Sequence, residues 1–149
     1  MGRLAKLGTL LALMAGLLAA PAAHAFIEQN AGIYTVIDQK GQLTDIAYRF
    51  YLQNGKWIAE ERGADGSWTA FKCEKDCDIT PLADKEVARL FGPNVPKVSE
   101  RACVGNNNFA VCRYLFKDTP TADPVARFMM FVSTPKGIVA VQLAWTAPI

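Results

Sequence analysis

The chain is almost without histidine: its single imidazole, His24, stands in a segment expected to be removed on export. Without it the processed chain has no histidine for a Ser-His-Asp triad, a general base or a zinc ligand. Charge of one sign is missing too. The formal charge of +2 comes from Arg3 and Lys6 of that same segment, and removing them leaves 14 basic residues against 14 acidic ones. A basic footprint for nucleic acid or for an anionic membrane surface is therefore absent. No Asn-x-Ser/Thr acceptor occurs anywhere. The one long apolar stretch, Leu7 to Ala20, covers 14 residues, short of the ~20 that a permanent helical span needs.

That stretch has the layout of an export signal. Arg3 and Lys6 precede it, and Pro21-Ala-Ala-His-Ala25 follows it with a helix breaker and an Ala-x-Ala cleavage pattern. Residues 1–25 are thus expected to be a cleaved signal peptide, with Phe26 the new N-terminus. Residues 26–149 remain as one domain, 51% of the whole chain being hydrophobic and 20% charged, enough to build a core. The expected location is the bacterial periplasm or the medium beyond it, with no stable membrane insertion after cleavage.

Four cysteines travel to a compartment where disulfides persist: Cys73, Cys77, Cys103 and Cys112. Three connectivities exist for four cysteines. Local pairing is expected, Cys73 with Cys77 around Glu-Lys-Asp and Cys103 with Cys112 around a loop tip, Val-Gly-Asn-Asn-Asn. Bridges of this length contribute roughly 2 to 3 kcal/mol each in the chain-entropy account. Three residues inside the first pair miss the Cys-x-x-Cys redox pattern, and eight inside the second miss the spacing of a four-thiolate zinc site.

Alternation of apolar and polar residues with turn punctuation runs from Gly32 to Lys72. It predicts a four-stranded antiparallel meander, turned at Lys40-Gly41, Asn54-Gly55 and Asp65-Gly66, the last two read as two-residue hairpins. Thr80 and Pro81 suit the N-cap and first position of a helix whose apolar stripe is Ala83, Val87, Leu90 and Phe91, ending at Gly92-Pro93. Val95 to Arg101 reads as a connector. Three more strands are expected at Phe109–Phe116, Arg127–Ser133 and Ile138–Thr146; Phe128-Met-Met-Phe-Val132 is apolar on both faces, so that strand is expected to be central and covered. The fold class is α+β and β-rich: an antiparallel sheet of about seven strands, four in the meander and three after the helix, with the one helix packed on it.

The sequence assigns no catalytic, cofactor-binding or metal-binding residue. Ser133-Thr-Pro-Lys136 matches Ser-x-x-Lys, but that chemistry needs Ser and Lys one helical turn apart, and Pro135 places a turn between them. Glu60 and Glu61 are neighbours on a strand and point to opposite faces. Glu74, Asp76 and Asp78 form an acidic loop without the glycine and distal glutamate of a calcium loop. What is left is recognition. Trp68 with Asp65 at a hairpin tip, and Asn106, Asn107 and Asn108 on a disulfide-pinned loop, are the candidate partner-binding residues. The expected function is that of an exported, non-catalytic protein that binds another protein of the cell envelope, an inhibitor or immunity protein. The alternatives are an accessory structural component of an envelope complex and a carboxylate-based hydrolase of sugar polymers.

Overall fold

The computed structural model describes residues 26, 28–73, 75–92 and 98–149. The expected signal peptide and its cleavage site lie outside the described residues, as do Glu74 and Pro93. The chain begins with a 3-10 turn, Glu28–Asn30, and then builds β1 (Gly32–Ile37), β2 (Leu43–Gln53), β3 (Lys56–Arg62) and β4 (Trp68–Ala70). A two-residue strand β5 (Thr80–Pro81) and the helix α1 (Asp84–Phe91) follow. The last third supplies β6 (Val98–Gly105), β7 (Phe109–Phe116), β8 (Val125–Thr134) and β9 (Gly137–Ala147).

Sharp turns set the registers of both meanders. Asn54 and Gly55 carry φ of 52° and 75°, the left-handed pair that a two-residue hairpin requires, and they fix Gln53 opposite Lys56. The Asp65-Gly66 turn is one residue longer than expected: Gly63 N–H donates to the Ser67 carbonyl and Gly66 N–H to the Gly63 carbonyl, enclosing three residues with Gly66 left-handed. The turn after β1 repeats this pattern. There Asp38 N–H donates to the Gln42 carbonyl, and Asp38 Oδ1 accepts from Lys40 and Gln42 N–H at 2.8 Å each.

The sheet is antiparallel throughout and has nine strands, in the order β4-β3-β2-β1-β9-β8-β7-β6-β5. First and last strands pair at its middle, so each meander runs outward from the β1–β9 junction. The sheet then rolls on itself: Ile79, entering β5, forms a bridge with Trp57 at the start of β3. Residues from both ends consequently share one interior. Phe71 beyond β4 stacks on Phe109 of β7 at 4.7 Å, and Tyr34, Phe50, Val104, Val111, Met130 and Leu143 fill the space within.

The two strands beyond the expected seven are β5 and β6. Thr80-Pro81 joins the sheet edge opposite Gly105 and Val104 instead of opening the helix, and Leu82 N–H donates to the Cys103 carbonyl. Proline is tolerated there because β5 is an edge. The helix starts at Asp84, where Glu86 Oε2 accepts the Ala83 N–H at 3.0 Å, and it stops at Gly92, whose φ is 69°. Residues 98–101, expected in a connector, begin β6, and the register shift between Ser99 and Ala102, with Glu100 at φ 49°, disguises the strand in the sequence.

Two faces of the same strands face two cores. On β6, β7 and β8, Val104, Val111 and Met130 point inward, while Cys103, Cys112 and Phe131 point outward beneath Val87 of α1, with Leu82, Leu90, Phe91 and Met129 around them. This explains the doubly apolar run of β8, which is central, between β7 and β9. The disulfides are Cys73–Cys77 and Cys103–Cys112, with Cα separations of 5.6 and 4.1 Å. Cys103 and Cys112 are direct cross-strand partners. Their bridge therefore belongs to the helix-covered core, not to the loop tip alone.

Two outcomes follow from this packing. A Cβ on Gly32 would fall inside the Trp145 indole, whose Nε1–H donates to the Ala31 carbonyl at 3.4 Å. Gly32→Ala is expected to lower stability by about 1 to 3 kcal/mol in a urea titration. Under a thiol reductant in native buffer, the Cys73–Cys77 bridge, with Cys77 exposed, should open first. The buried Cys103–Cys112 bridge should survive until the domain unfolds, an order that alkylation and peptide mass mapping would reveal.

Candidate functional site

The five residues expected at a partner-binding site fall into two groups. Asp65 and Trp68 belong to the β3–β4 hairpin, where Trp68 pairs with Arg62, the last residue of β3. Asn106 lies with Trp57, Cys77 and Phe109 around a small pocket of about 170 Å³, beside the first residues of β3. At ~3.3 Å per residue, the run from Trp57 to Arg62 separates the groups by roughly 17 Å. They do not form one patch.

The asparagine loop is bound more tightly than a projecting tip would be. Asn106 Oδ1 accepts the N–H groups of Asn108 and Phe109 at 2.9 and 3.2 Å, and its Nδ2 donates to the Cys77 carbonyl at 3.2 Å. The Asn108 carbonyl accepts Ser133 N–H at 2.8 Å. Asn106 thus ties together the two disulfide-bearing segments, and Asn107 is the one member of the triplet left exposed. An asparagine side chain that substitutes for backbone in this way is a turn-former first.

Asn106 and Asn107 also line a cleft of about 300 Å³ between α1, the Asp76–Asp78 segment and the end of β8. Its rim holds Asp76, Asp78, Glu86 and Arg89, and Phe131 and Leu90 contribute apolar wall. Asp76 and Asp78 are exposed to water, and a Glu86 oxygen is already engaged at the helix start. Ser133 is on a strand and Lys136 in the following turn, so the Ser-x-x-Lys spacing has no catalytic geometry here.

Trp68 stands in a different setting. Arg49 and Glu60 are direct cross-strand partners on β2 and β3, and Arg49 Nε donates to Glu60 Oε2 in an ion pair whose side chains are 28% and 15% exposed. The Arg49 guanidinium lies over the Trp68 ring at 4.8 Å and over the Tyr51 ring at 5.5 Å. The result is a half-buried row of Tyr51, Arg49, Glu60 and Trp68 on the outer face of the sheet. Each cation–π contact at a partly exposed site is worth about 0.5 to 1 kcal/mol and adds to the ion pair in favouring this orientation of the guanidinium. Sequence reasoning singled out Trp68 and missed its companions. The signal was present: the Asn54-Gly55 hairpin fixes the register, and counting back from it sets Arg49 opposite Glu60.

Trp145 is the most exposed of the three tryptophans, at 44%, but its indole rests over Gly32. No helix among the described residues is long and apolar enough to cross a membrane, and two disulfides suit an oxidising compartment. No protein-family model, curated protein or solved structure matches the chain.

Asp65 gives a pH test of the hairpin tip. Its Oδ1 accepts the Ser67 hydroxyl at 2.7 Å and the Ser67 N–H at 3.0 Å, and these bonds hold its carboxyl below the usual carboxylate range. A folded-state value below the unfolded one stabilises the folded state at pH above the unfolded value, and the contribution is lost as pH falls through the folded value. NMR titration should show Asp65 titrating at lower pH than a free aspartate, and Ser67→Ala should move its midpoint upward.

Proposed function

We propose that the chain is an exported, non-catalytic binding protein that caps another protein of the cell envelope, as an inhibitor or immunity protein does, and that it binds through the Trp68 surface. The observation that carries this reading is the Arg49 guanidinium fixed by Glu60 between Trp68 and Tyr51. Trp, Tyr and Arg dominate interface energetics, and a side chain already ordered loses little freedom on binding. Asp65 stands at the tip of the same hairpin and can contribute at the rim. Asn107 belongs to a separate cleft and is not part of this surface.

The balance of charge outside the signal supports recognition by shape and aromatic contact over long-range steering. A scaffold role in an envelope complex would use the same surface and differ in its partner, a membrane assembly in place of a soluble protein. The hydrolase alternative would have to use Asp76, Asp78 and Glu86 at the cleft.

With a partner captured from an envelope extract and purified, Trp68→Ala should weaken binding by about 2 kcal/mol or more, roughly thirtyfold. Asn107→Ala should leave affinity unchanged. Isothermal titration calorimetry on folded variants makes the comparison. Equal affinity for both variants would remove the Trp68 surface from the interface, and turnover of a sugar polymer that Asp76→Asn or Asp78→Asn abolishes would replace binding with catalysis.

A further inference from the structure

Two turns of the chain set a glycine directly after an asparagine or aspartate: Asn54-Gly55 and Asp65-Gly66. Asparagine is one of the chemically labile side chains. In such a pair the glycine nitrogen can attack the side-chain carbonyl, because glycine has no Cβ to shield it. The two turns differ in what holds the side chain. Asp65 Oδ1 accepts the Ser67 hydroxyl at 2.7 Å and the Ser67 N–H at 3.0 Å. The Asn54 side chain has no hydrogen-bond partner among the described residues, and the Gly55 N–H donates to no carbonyl there. A Cβ placed on Gly55 would meet nothing within 4 Å, and Gln53, Asn54, Gly55 and Lys56 are all exposed. Both reacting groups are therefore free, and turning one onto the other displaces no packed neighbour.

The other described asparagines are held or shielded. Asn30 is buried. Asn106 is engaged through both ends of its side-chain amide. Asn107 and Asn108 are followed by Asn108 and Phe109, whose side chains crowd the nitrogen that would attack.

We propose that Asn54 is a site of spontaneous deamidation, and that one of its two products opens the end of the β2–β3 hairpin beside the barrel seam. The Gly55 nitrogen bonds to Cγ of Asn54 as the Cγ–Nδ2 bond breaks, and the proton of the Gly55 N–H leaves with Nδ2 as ammonia. Water then opens the cyclic imide. Breaking the bond from the nitrogen to Cγ leaves aspartate. Breaking the bond to the main-chain carbonyl carbon leaves isoaspartate, in which Cβ has become part of the main chain. Water is the only co-reactant, and nothing is oxidised or reduced.

The turn can hold only one of these products. Asp-Gly suits a two-residue hairpin as Asn-Gly does. Isoaspartate inserts a methylene into a loop whose length and φ values of 52° and 75° fix Gln53 opposite Lys56. That closing pair is lost first. The next pair is Leu52 with Trp57, and Trp57 carries both the bridge to Ile79 and a ring contact with Phe26 at 5.1 Å. The disturbance thus arrives where the barrel closes. Trp68 pairs at the far end of β3, and the inference does not rest on the binding role proposed for that surface.

The test is incubation of the purified exported protein in mildly alkaline buffer, followed by peptide mass mapping that separates aspartate from isoaspartate. Hydrogen exchange on the isolated isoaspartate form completes it. Asn54 should convert at least tenfold faster than Asn30, Asn106, Asn107 or Asn108 and give both products. The Ala59 carbonyl takes the Phe71 N–H on the β4 side, so by alternation Lys56 and Ile58 direct theirs to β2. In the isoaspartate form these two amides should exchange at least tenfold faster than in the starting protein. Asn54→Asp should keep both protected. Asn54→Gly, which suits the same turn without a side-chain amide, should keep the fold and lose the fast reaction. The proposal is overturned if Asn54 outlasts any of the other four asparagines, if aspartate is the sole product, or if the isoaspartate form exchanges like the starting protein. Loss of protection in Asn54→Asp would trace the opening to the new charge and overturn the role given to the added methylene.

Discussion

The structure depends on Tyr34. It is fully buried on β1, the strand at which the first meander meets the last strand of the chain, with Tyr48 beside it on β2 and Trp145 on β9. Its ring makes edge contacts with Phe50 of β2 at 5.6 Å and with Phe128 of β8 at 5.0 Å, so one side chain joins the cores of both meanders. Its hydroxyl donates to the Asn30 carbonyl, which ties the opening turn across the barrel end. Burial raises its ionisation above the ordinary tyrosine range, with Arg113 opposing the shift. The neutral, hydrogen-bonded form is the one the interior accepts. Gly32, two residues earlier on the same strand face, lets Trp145 close over this junction.

No covalent link crosses that junction. Cys103–Cys112 joins two strands already paired as a hairpin, and Cys73–Cys77 spans four residues. Both restrict short loops, where the entropic benefit is smallest. Joining the meanders is left to the β1–β9 ladder, the Trp57–Ile79 bridge and the aromatic interior. These contacts are far apart in sequence, and closing them late is the slow part of folding for such a topology. The asparagine loop works in the same service. By reaching from the β6–β7 turn to the Cys77 carbonyl, Asn106 braces the segment that carries Ile79 to the seam.

Much of this was legible in the sequence, and the remainder was hidden for definite reasons. The strands of the first meander, both cysteine pairs and β7, β8 and β9 follow from alternation and turn residues acting over short range. Thr80-Pro81 misleads because a helix cap and an edge strand place the same demands on it: neither needs the proline N–H. The extended form prevails because the Cys103 carbonyl takes the Leu82 N–H. Ile46 has the right parity to join Tyr48 and Phe50 inside, yet is exposed, because β3 pairs with β2 only from Tyr48 onward. At the candidate site Trp68 was readable and its relation to the asparagines was not. That relation depends on the stagger with which the sheet closes, a property of the whole barrel that no local pattern encodes.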